Sequence, residues 1–347
     1  MLRALVAAPS VSCSEPQLDM SNRGVIDLLA QWLDALDFSV EIAPLENNPA
    51  KANLIATRGS GAGGLVFAGH TDTVPYDDNK WRSDPFKLIE RDRRWYGLGA
   101  TDMKGFFPVA IEAAKAFIDV PLQQPLIILA TADEESSMDG ARQLVAQGRP
   151  KARFAVIGEP TDLKPARLHK GMMMESLTIT GRSGHSSDPS LGNNALEAMH
   201  EAIQVLLKFR DELQTRFRNP AFQVEVPTLN LGCIHGGDSP NRICGECELH
   251  FDLRPLPGMA IDELRAAITQ KLQPLAEQRR VNIQLRSLFP GLQPFEQSAD
   301  SALIKTVEQL TGHSAQTVGF ATEAPFMQQL GMETVVFGPG SINQAHQ

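Results

Sequence analysis

Short apolar runs typical of buried strands recur along this chain, and each is followed by a side chain of a metal-binding type. The runs are Leu65–Gly69, Leu126–Ala132, Phe154–Ile157 and Val335–Phe337. Four of the metal-binding side chains follow these runs and one opens a helix-like stretch: His70, Glu135, Glu159, His346 and Asp102. Because the carboxyl ends of parallel strands border the crevice where ligands bind, we expect these five side chains to lie at one edge of a sheet.

The five side chains match the donor set of a metal centre with two ions. Two imidazoles and three carboxylates are too few for two separate sites, but they suffice for two divalent ions that share one carboxylate. A further acid, Glu134, stands directly beside Glu135. Adjacent acids at the end of a buried strand repel each other unless a cation lies between them or one is protonated. The sequence therefore predicts a hydrolase site in which Glu135 binds metal and Glu134 is the general base.

The composition excludes several other classes of protein. The chain has 347 residues, 42% of them hydrophobic, and carries a net charge of −9 from 41 acidic and 32 basic residues. This length favours two domains, and the charge argues against nucleic acid or an anionic membrane as a partner. No apolar run approaches the ~20 residues that span a bilayer, and the apolar start is shorter than a signal peptide requires. Four cysteines in a chain of this length suggest a reducing cytoplasm.

The order of the predicted elements indicates one domain inserted into another. Residues 1–165 alternate strand and helix patterns, which predicts an α/β domain with a mostly parallel sheet. From about residue 170 the order becomes β-α-β-β-α-β, the ferredoxin-like arrangement, and the first pattern resumes at about 291. We therefore expect a catalytic di-metal domain at 1–169 and 291–347, and an inserted α+β ferredoxin-like domain at 170–290.

Individually, these motifs allow simpler interpretations. A carboxylate at Asp72 could fix the tautomer of His70, although a His-x-Asp pair alone is more typical of an ordinary surface histidine. Asp102, in a glycine-flanked turn, could offer one oxygen to each ion or could be a helix N-cap. Any one of the acids could be a solvated loop charge. Recurrence at four strand ends favours the metal centre.

Several segments together resemble the M20 family of co-catalytic zinc hydrolases over essentially the whole chain. They are His70-Thr-Asp72-Thr-Val-Pro, Gly-Ala-Thr-Asp102-Met-Lys-Gly, Asp-Glu134-Glu135 and Gly-Glu159-Pro. Within the family, Leu-His169-Lys-Gly, Gly-Phe-Ala-Thr-Glu323-Ala-Pro-Phe and the segment Phe337–His346 resemble a deacetylase branch.

The resemblance implies a role for each matching position. Asp102 would bridge two zinc ions, with cobalt as a substitute, and its peptide bond to Met103 would be cis. The remaining ligands would be His70 and Glu159 at one ion, and Glu135 and His346 at the other.

Glu134 would be the base and Asp72 would orient His70. The inserted domain would act as a lid and would form the interface of a homodimer. Its His185 would reach across that interface to the scissile carbonyl of the substrate bound in the partner subunit. Asn241 and Arg254 resemble the pair that anchors the substrate, and a guanidinium suits a carboxylate. Glu323 is either the acid that binds a substrate ammonium group or a structural acid.

The implied reaction is hydrolysis of the acetyl amide of N2-acetyl-L-ornithine, a small N-acyl amino acid, in arginine biosynthesis. Two alternatives keep the chemistry, a desuccinylase acting on N-succinyl-diaminopimelate and a dipeptidase, and a third is a binding protein without activity on the same scaffold. The family continues past the position of His346 with a further helix and has a longer N-terminal helix. The sequence stops one residue after His346, and because residues at a chain end fray, we expect a ligand at position 346 to be weakly held.

Overall fold

The computed structural model describes residues 1–77 and 81–346, and these form two compact units. Unit 1 comprises Met1–Arg167, Gln297–Val318 and Thr322–Gln347. Unit 2 comprises Leu168–Glu296 and Gly319–Ala321. Unit 2 is thus contributed mainly by one continuous segment of the chain, which interrupts the sequence of unit 1.

Helices and strands alternate through most of the described residues. The α-helices are α1 (Leu2–Val6), α2 (Arg23–Asp34), α3 (Phe106–Lys115), α4 (Asp139–Gln147), α5 (Ala195–Arg216), α6 (Ile261–Arg279), α7 (Ala302–Thr311) and α8 (Ala324–Gln329). The strands are β1 (Ser39–Pro44), β2 (Ala52–Arg58), β3 (Leu65–His70), β4 (Ile89–Arg91), β5 (Arg94–Tyr96), β6 (Leu126–Thr131), β7 (Phe154–Ile157), β8 (Ala166–His169), β9 (Met173–Thr180), β10 (Thr228–Gly236), β11 (Glu246–Arg254), β12 (Asn282–Ser287), β13 (Phe295–Glu296), β14 (Gln316–Thr317) and β15 (Glu333–Val336). Two 3₁₀ turns lie at Pro189–Leu191 and Ile342–Gln344.

The central sheet of unit 1 is mixed, with a parallel middle. Its strands follow the order β1-β2-β6-β3-β7-β15-β8. The neighbours β6, β3, β7 and β15 are parallel, whereas β1, β2 and β8 join the sheet through antiparallel pairs. The predicted α/β architecture with a mostly parallel central sheet is confirmed. Because β3, β6, β7 and β15 share one direction, their carboxyl ends lie at the same edge, as expected.

Apolar faces of helices cover this sheet. Helix α2 buries Val25, Ile26, Leu29 and Leu33 against residues of α3 and the strands β2 and β6. These four residues recur at the spacing of one helical face, which explains why the segment forms an amphipathic helix. A second cluster packs Leu303, Ile304 and Val307 of α7 against Val335 of β15.

Unit 2 is an antiparallel sheet with two long helices. The chain order of its main elements is β9, α5, β10, β11, α6, β12, and the strand order in the sheet is β10-β11-β9-β12. Strand β11 alternates strictly between buried and more exposed residues, with Cys247, Leu249, Phe251 and Leu253 in the core. Helix α5 begins where the Asn194 side chain accepts the N–H groups of residues 196 and 197. Such a cap satisfies donors that the helix leaves unpaired.

One sequence-based expectation about elements was wrong, and one strand was missed. Asp102 does not open a helix: it lies in a turn, and α3 begins four residues later at Phe106. The antiparallel edge strand β1 was not predicted, since its pairing with β2 depends on a partner segment rather than on its own apolar content. Among the described helices, none has the length and apolar composition that crossing a membrane requires.

Candidate metal centre

His70 is the last residue of β3 and lies at the carboxyl edge of the parallel strands. Its ring is buried, with 1% of the residue exposed. The Nε2 atom lies 3.0 Å from Oδ1 of Asp102 and 3.8 Å from Oε1 of Glu159. Both acids therefore face the same nitrogen, which is the arrangement expected when an imidazole and carboxylates converge on one cation.

Asp102 lies between two imidazoles and faces each with a different oxygen. Its Oδ1 contacts His70, whereas its Oδ2 lies 3.2 Å from Nε2 of His346. The peptide bond between Asp102 and Met103 is cis, as the sequence resemblance predicted. Burial alone would raise the pKa of Asp102, but the two histidines outweigh it and lower this pKa. The carboxylate is thus ionised and has one oxygen for each half of the centre.

The turn that carries Glu134 and Glu135 follows β6. Oε1 of Glu135 lies 3.3 Å from Nε2 of His346. Glu134 is buried, and the structure gives its carboxylate no hydrogen bond or ion pair with a described residue. Burial raises the pKa of Glu134 well above its usual range, and the carboxylates of Glu159 and Glu135 add to the rise. Without a cation nearby, burial therefore favours the protonated form of this carboxyl group.

Asp72 contacts residues on both sides of the centre, Glu135 and His70. Its Oδ2 accepts a hydrogen bond of 3.0 Å from the backbone N–H of Glu135. The Nδ1 atom of His70 lies 3.1 Å from the backbone carbonyl of Asp72 and 3.6 Å from its Oδ1. The sequence pattern suggested that the carboxylate fixes the His70 tautomer, but the nearer acceptor is this carbonyl. The contact of Asp72 with the Glu135 backbone carried no sequence signal.

Glu159 follows β7 through Gly158, at a place where only glycine fits. A Cβ at Gly158 would lie about 2.1 Å from the ring of Phe106. The close packing brings the carboxylate of Glu159, a residue that is 4% exposed, to within 3.8 Å of Nε2 of the buried His70. Burial and the charge of Asp102 raise the pKa of Glu159 well above its usual range. Among the described residues, only His70 offsets this rise in pKa.

His346 lies on the open side of the centre, and 52% of its side chain is exposed. Hydrogen bonds from its ring to Asp102 and Glu135 raise its pKa to about 10. It lies ten residues after the end of β15 and has a positive φ of 60°. Its position at the centre matches the expectation, although it follows its strand less directly than the sequence pattern suggested.

The donor set fits two divalent cations. Ligand atoms of His70, Asp102 and Glu135 all lie within 4.8 Å of one another, and so do those of His70, Glu134 and Glu159. Imidazole nitrogens and carboxylate oxygens are ligands that zinc binds readily. The buried carboxylates also outnumber the imidazoles, so bound cations would balance charge that the protein itself leaves unbalanced. The second group includes Glu134, which the sequence interpretation leaves free as the base.

Glu323 lies in the interior of unit 1, not on an open surface. It is 1% exposed, and its Oε2 accepts a 2.8 Å hydrogen bond from Oγ1 of Thr131, the last residue of β6. Its Oε1 is buried and has no hydrogen-bond partner among the described residues. Burial raises the pKa of Glu323 to about 7.

The remaining candidates, His185, Asn241 and Arg254, belong to unit 2. His185 is exposed, and its Nδ1 accepts a hydrogen bond from the backbone N–H of Ser187 at 3.2 Å. Because Nδ1 is the acceptor, the proton of the neutral ring lies on Nε2. The Oδ1 of Asn241 accepts from the hydroxyl of Ser239 at 2.5 Å. Arg254 lies at the end of β11 and donates from Nε to Asp252 at 2.8 Å. Its two Nη atoms are not engaged in that contact.

Comparison with known proteins places the chain among metallohydrolases. A family model described as Peptidase family M20/M25/M40 matches residues 66–347. An acetylornithine deacetylase of Pasteurella multocida is 50% identical over 347 residues, which are 100% of this chain and 91% of that protein. The crystal structure of a tripeptidase from Staphylococcus aureus has a TM-score of 0.73 at 20% identity, covering 100% of this chain and 90% of that one. A dinuclear metal binding peptidase from the M20 family of Bacillus subtilis has a TM-score of 0.68 at 15% identity, with coverage of 100% and 89%.

Proposed function

The chain belongs to peptidase family M20/M25/M40, and we propose that it removes the acetyl group from N2-acetyl-L-ornithine, giving L-ornithine and acetate. The reaction is the hydrolysis of a linear amide, in arginine biosynthesis. One observation carries the proposal for this chemistry: the two oxygens of Asp102 face two different imidazoles, those of His70 and His346. The name of the relative that is 50% identical over the whole chain supports the substrate.

Two metal ions, zinc or in its place cobalt, would be held by the residues around Asp102. His70 and Glu159 would complete one site, and Glu135 and His346 the other. When bound, such ions lower the pKa of a water molecule toward ~7 and polarise the carbonyl of the amide. Asp72 would fix the position of one metal site relative to the other, because it contacts His70 and the backbone of Glu135.

Glu134 would move the proton. A carboxylate without a hydrogen-bond partner, beside the ligands, can accept the proton of the attacking water and pass it to the amine that leaves. The charges of bound cations would lower its pKa from the raised value that burial imposes, so that it is ionised before the reaction begins. The proposed base and the proposed ligand are neighbours in sequence, and one turn therefore determines the positions of both side chains.

Unit 2 would supply the groups that recognise the substrate. We propose a ferredoxin-like lid and dimerisation domain at 170–290, inserted in a catalytic domain at 1–169 and 291–347. From the partner subunit, His185 would donate a hydrogen bond from Nε2 to the oxygen that becomes negative during the attack. The Nη atoms of Arg254 would bind the α-carboxylate of the substrate, with Asn241 beside it. Four free thiols are consistent with a location in the cytoplasm.

Steady-state kinetics on metal-loaded protein test the proposal. Protein reconstituted with zinc or cobalt would be assayed with N2-acetyl-L-ornithine, and with N-succinyl-diaminopimelate and a dipeptide alongside. The proposal expects release of acetate, and little turnover of the other two compounds. Preference for the succinyl compound would retain the metal centre but replace the substrate. A protein that binds two metal ions yet hydrolyses none of the three would contradict the proposed function.

A further inference from the structure

A buried cation lies behind the turn that carries Glu134 and Glu135. Lys51, immediately before β2, is 3% exposed, although lysine is among the residues least often buried. Its ammonium group forms ion pairs with Asp133, which directly precedes Glu134, and with Asp19 at 2.5 Å. The two carboxylates outweigh burial and raise the pKa of Lys51, so the group is a cation in the folded protein.

Asp133 is held from a second direction and has a backbone conformation that needs support. Its Oδ1 accepts a 2.8 Å hydrogen bond from the hydroxyl of Ser12, which also contacts the hydroxyl of Ser136. The φ angle of Asp133 is 61°, in the left-handed region that residues with a side chain seldom adopt. Conformations of this kind persist only where surrounding contacts enforce them. Here these contacts come from Lys51 and Ser12, far away in sequence.

We infer that Lys51 is a positioning residue: with Ser12 it holds Asp133 in the left-handed conformation that presents Glu134 and Glu135 to the metal centre. The inference deepens the proposed function and rests on it, since it assumes that this turn carries the base and a ligand. Asp72 fixes the far end of the same turn through the N–H of Glu135. Lys51 and Asp72 therefore fix the turn on both sides of Glu134.

A purely structural role for Lys51 is the competing explanation. Buried ion pairs contribute little net stability compared with apolar residues of similar volume, and their attested use is to specify one conformation. Unit 2 provides a matched comparison, because Arg265 donates at 2.8 Å to Glu175, which is fully buried. That pair belongs to the other unit and no site residue is adjacent to it in sequence. Loss of its cation should cost stability without affecting the metal centre.

The test compares Lys51→Met and Lys51→Arg with the control Arg265→Met. Three measurements report on the turn: kcat and KM for N2-acetyl-L-ornithine, the visible spectrum of the cobalt-loaded protein, and deuterium uptake at residues 131–138 in the metal-free protein. The melting temperature reports on overall stability. For Lys51→Met we expect kcat to fall ~10–100-fold with KM nearly unchanged, since small misplacement of a catalytic group has effects of this size. We also expect an altered cobalt spectrum and faster uptake. Lys51→Arg should restore most of kcat, and Arg265→Met should change only the melting temperature.

A second variant keeps the test decisive if Lys51→Met does not fold. Asp133→Asn removes the charge that Lys51 binds while retaining the shape and the tolerance for positive φ. It should shift all three measurements in the same direction as Lys51→Met but by less, because its amide oxygen can still accept from Lys51 and Ser12. The inference is overturned if the variants that fold match Arg265→Met, with normal kcat, spectrum and uptake despite a lower melting temperature. If the wild-type protein does not hydrolyse the substrate, the proposed function fails, while the spectrum and the uptake still decide the role of Lys51.

Discussion

Asp72 and Glu135 are joined by a hydrogen bond in which the carboxylate of Asp72 accepts the backbone N–H of Glu135 at 3.0 Å. The two residues are 63 positions apart and follow different strands of the parallel group, β3 and β6. Asp72 also lies against Nδ1 of His70 through its backbone carbonyl. One residue thus links the segments that carry a proposed ligand of each metal ion. Its removal should affect both ions, whereas removal of a single ligand should affect mainly one.

For this reason Asp72→Ala should weaken the binding of both metal ions. The change leaves a largely buried N–H at Glu135 without an acceptor, and we expect a ~10–100-fold loss of zinc affinity, typical for residues that orient ligands. Asp72→Asn should lose less, because its amide oxygen can still accept that N–H. Competition with a chromogenic chelator measures the affinities. Asp188→Ala, which removes a similar carboxylate contact to the N–H of Ser190 in unit 2, is the control. Wild-type zinc affinity in Asp72→Ala would contradict the role of Asp72.

Replacement of Glu134 and of Glu135 should separate the base from the ligand. Glu134→Gln should lower kcat at least ~100-fold, because general-base catalysis contributes ~10²–10⁴-fold, while two metal ions remain bound. Glu135→Gln should instead lower the metal content, since a neutral amide is a weaker ligand than a carboxylate. Metal analysis after gel filtration, together with kcat, distinguishes these outcomes. Loss of metal from Glu134→Gln, with full metal in Glu135→Gln, would exchange the two assignments.

His346 should be required for only one of the two metal ions. Its imidazole contacts Asp102 and Glu135 on the side opposite to His70. We expect His346→Ala to bind about one zinc ion per chain and to lose most activity, because the remaining site still has His70, Glu159 and Asp102. His313→Ala removes another exposed histidine of unit 1 and should retain both ions. Two tightly bound ions in His346→Ala would exclude His346 as a ligand.

Much of the centre could be predicted because its residues follow elements with strong local signals. The runs before His70, Glu135 and Glu159 are apolar enough to indicate buried strands, and parallel strands bring their ends together. Strand β7 has the bounds of the predicted run for the same reason. The sequence predicts that Asp102 lies in a glycine-flanked turn and opens a helix; the turn is present, but the helix begins only at Phe106. The turn itself contacts His70 and His346, which are distant in sequence.

The supporting contacts could not be predicted, because they join segments far apart in sequence. Lys51 reaches Asp133 across 82 residues, and nothing near Lys51 distinguishes it from a surface lysine. The hydrogen bond between Thr131 and Glu323 spans 192 residues. Sequence patterns show which face of an element is buried, but the pairing of buried polar groups depends on the tertiary fold.

The buried carboxyl group of Glu323 should make the stability of the metal-free protein depend on pH. Burial raises its pKa from the usual 4.5 to about 7, so between these values the folded state holds a proton that the unfolded state has lost. The free energy of unfolding therefore falls as pH rises through this window, by up to about 3 kcal/mol at 1.36 kcal/mol per pH unit. Glu323→Gln lacks this titration, and its oxygen can still accept from Thr131.

The variant should accordingly match the wild type near pH 4.5 and exceed its stability by up to about 3 kcal/mol above pH 7. Urea unfolding of both proteins after removal of metal, at several pH values between 4.5 and 8, measures the difference. The exposed Glu90→Gln serves as the control and should follow the wild type throughout. Parallel curves for Glu323→Gln and the wild type would mean that the Glu323 carboxylate is ionised at no cost in the folded protein. A cationic partner would then have to lie beside its Oε1 atom, where the described residues provide none.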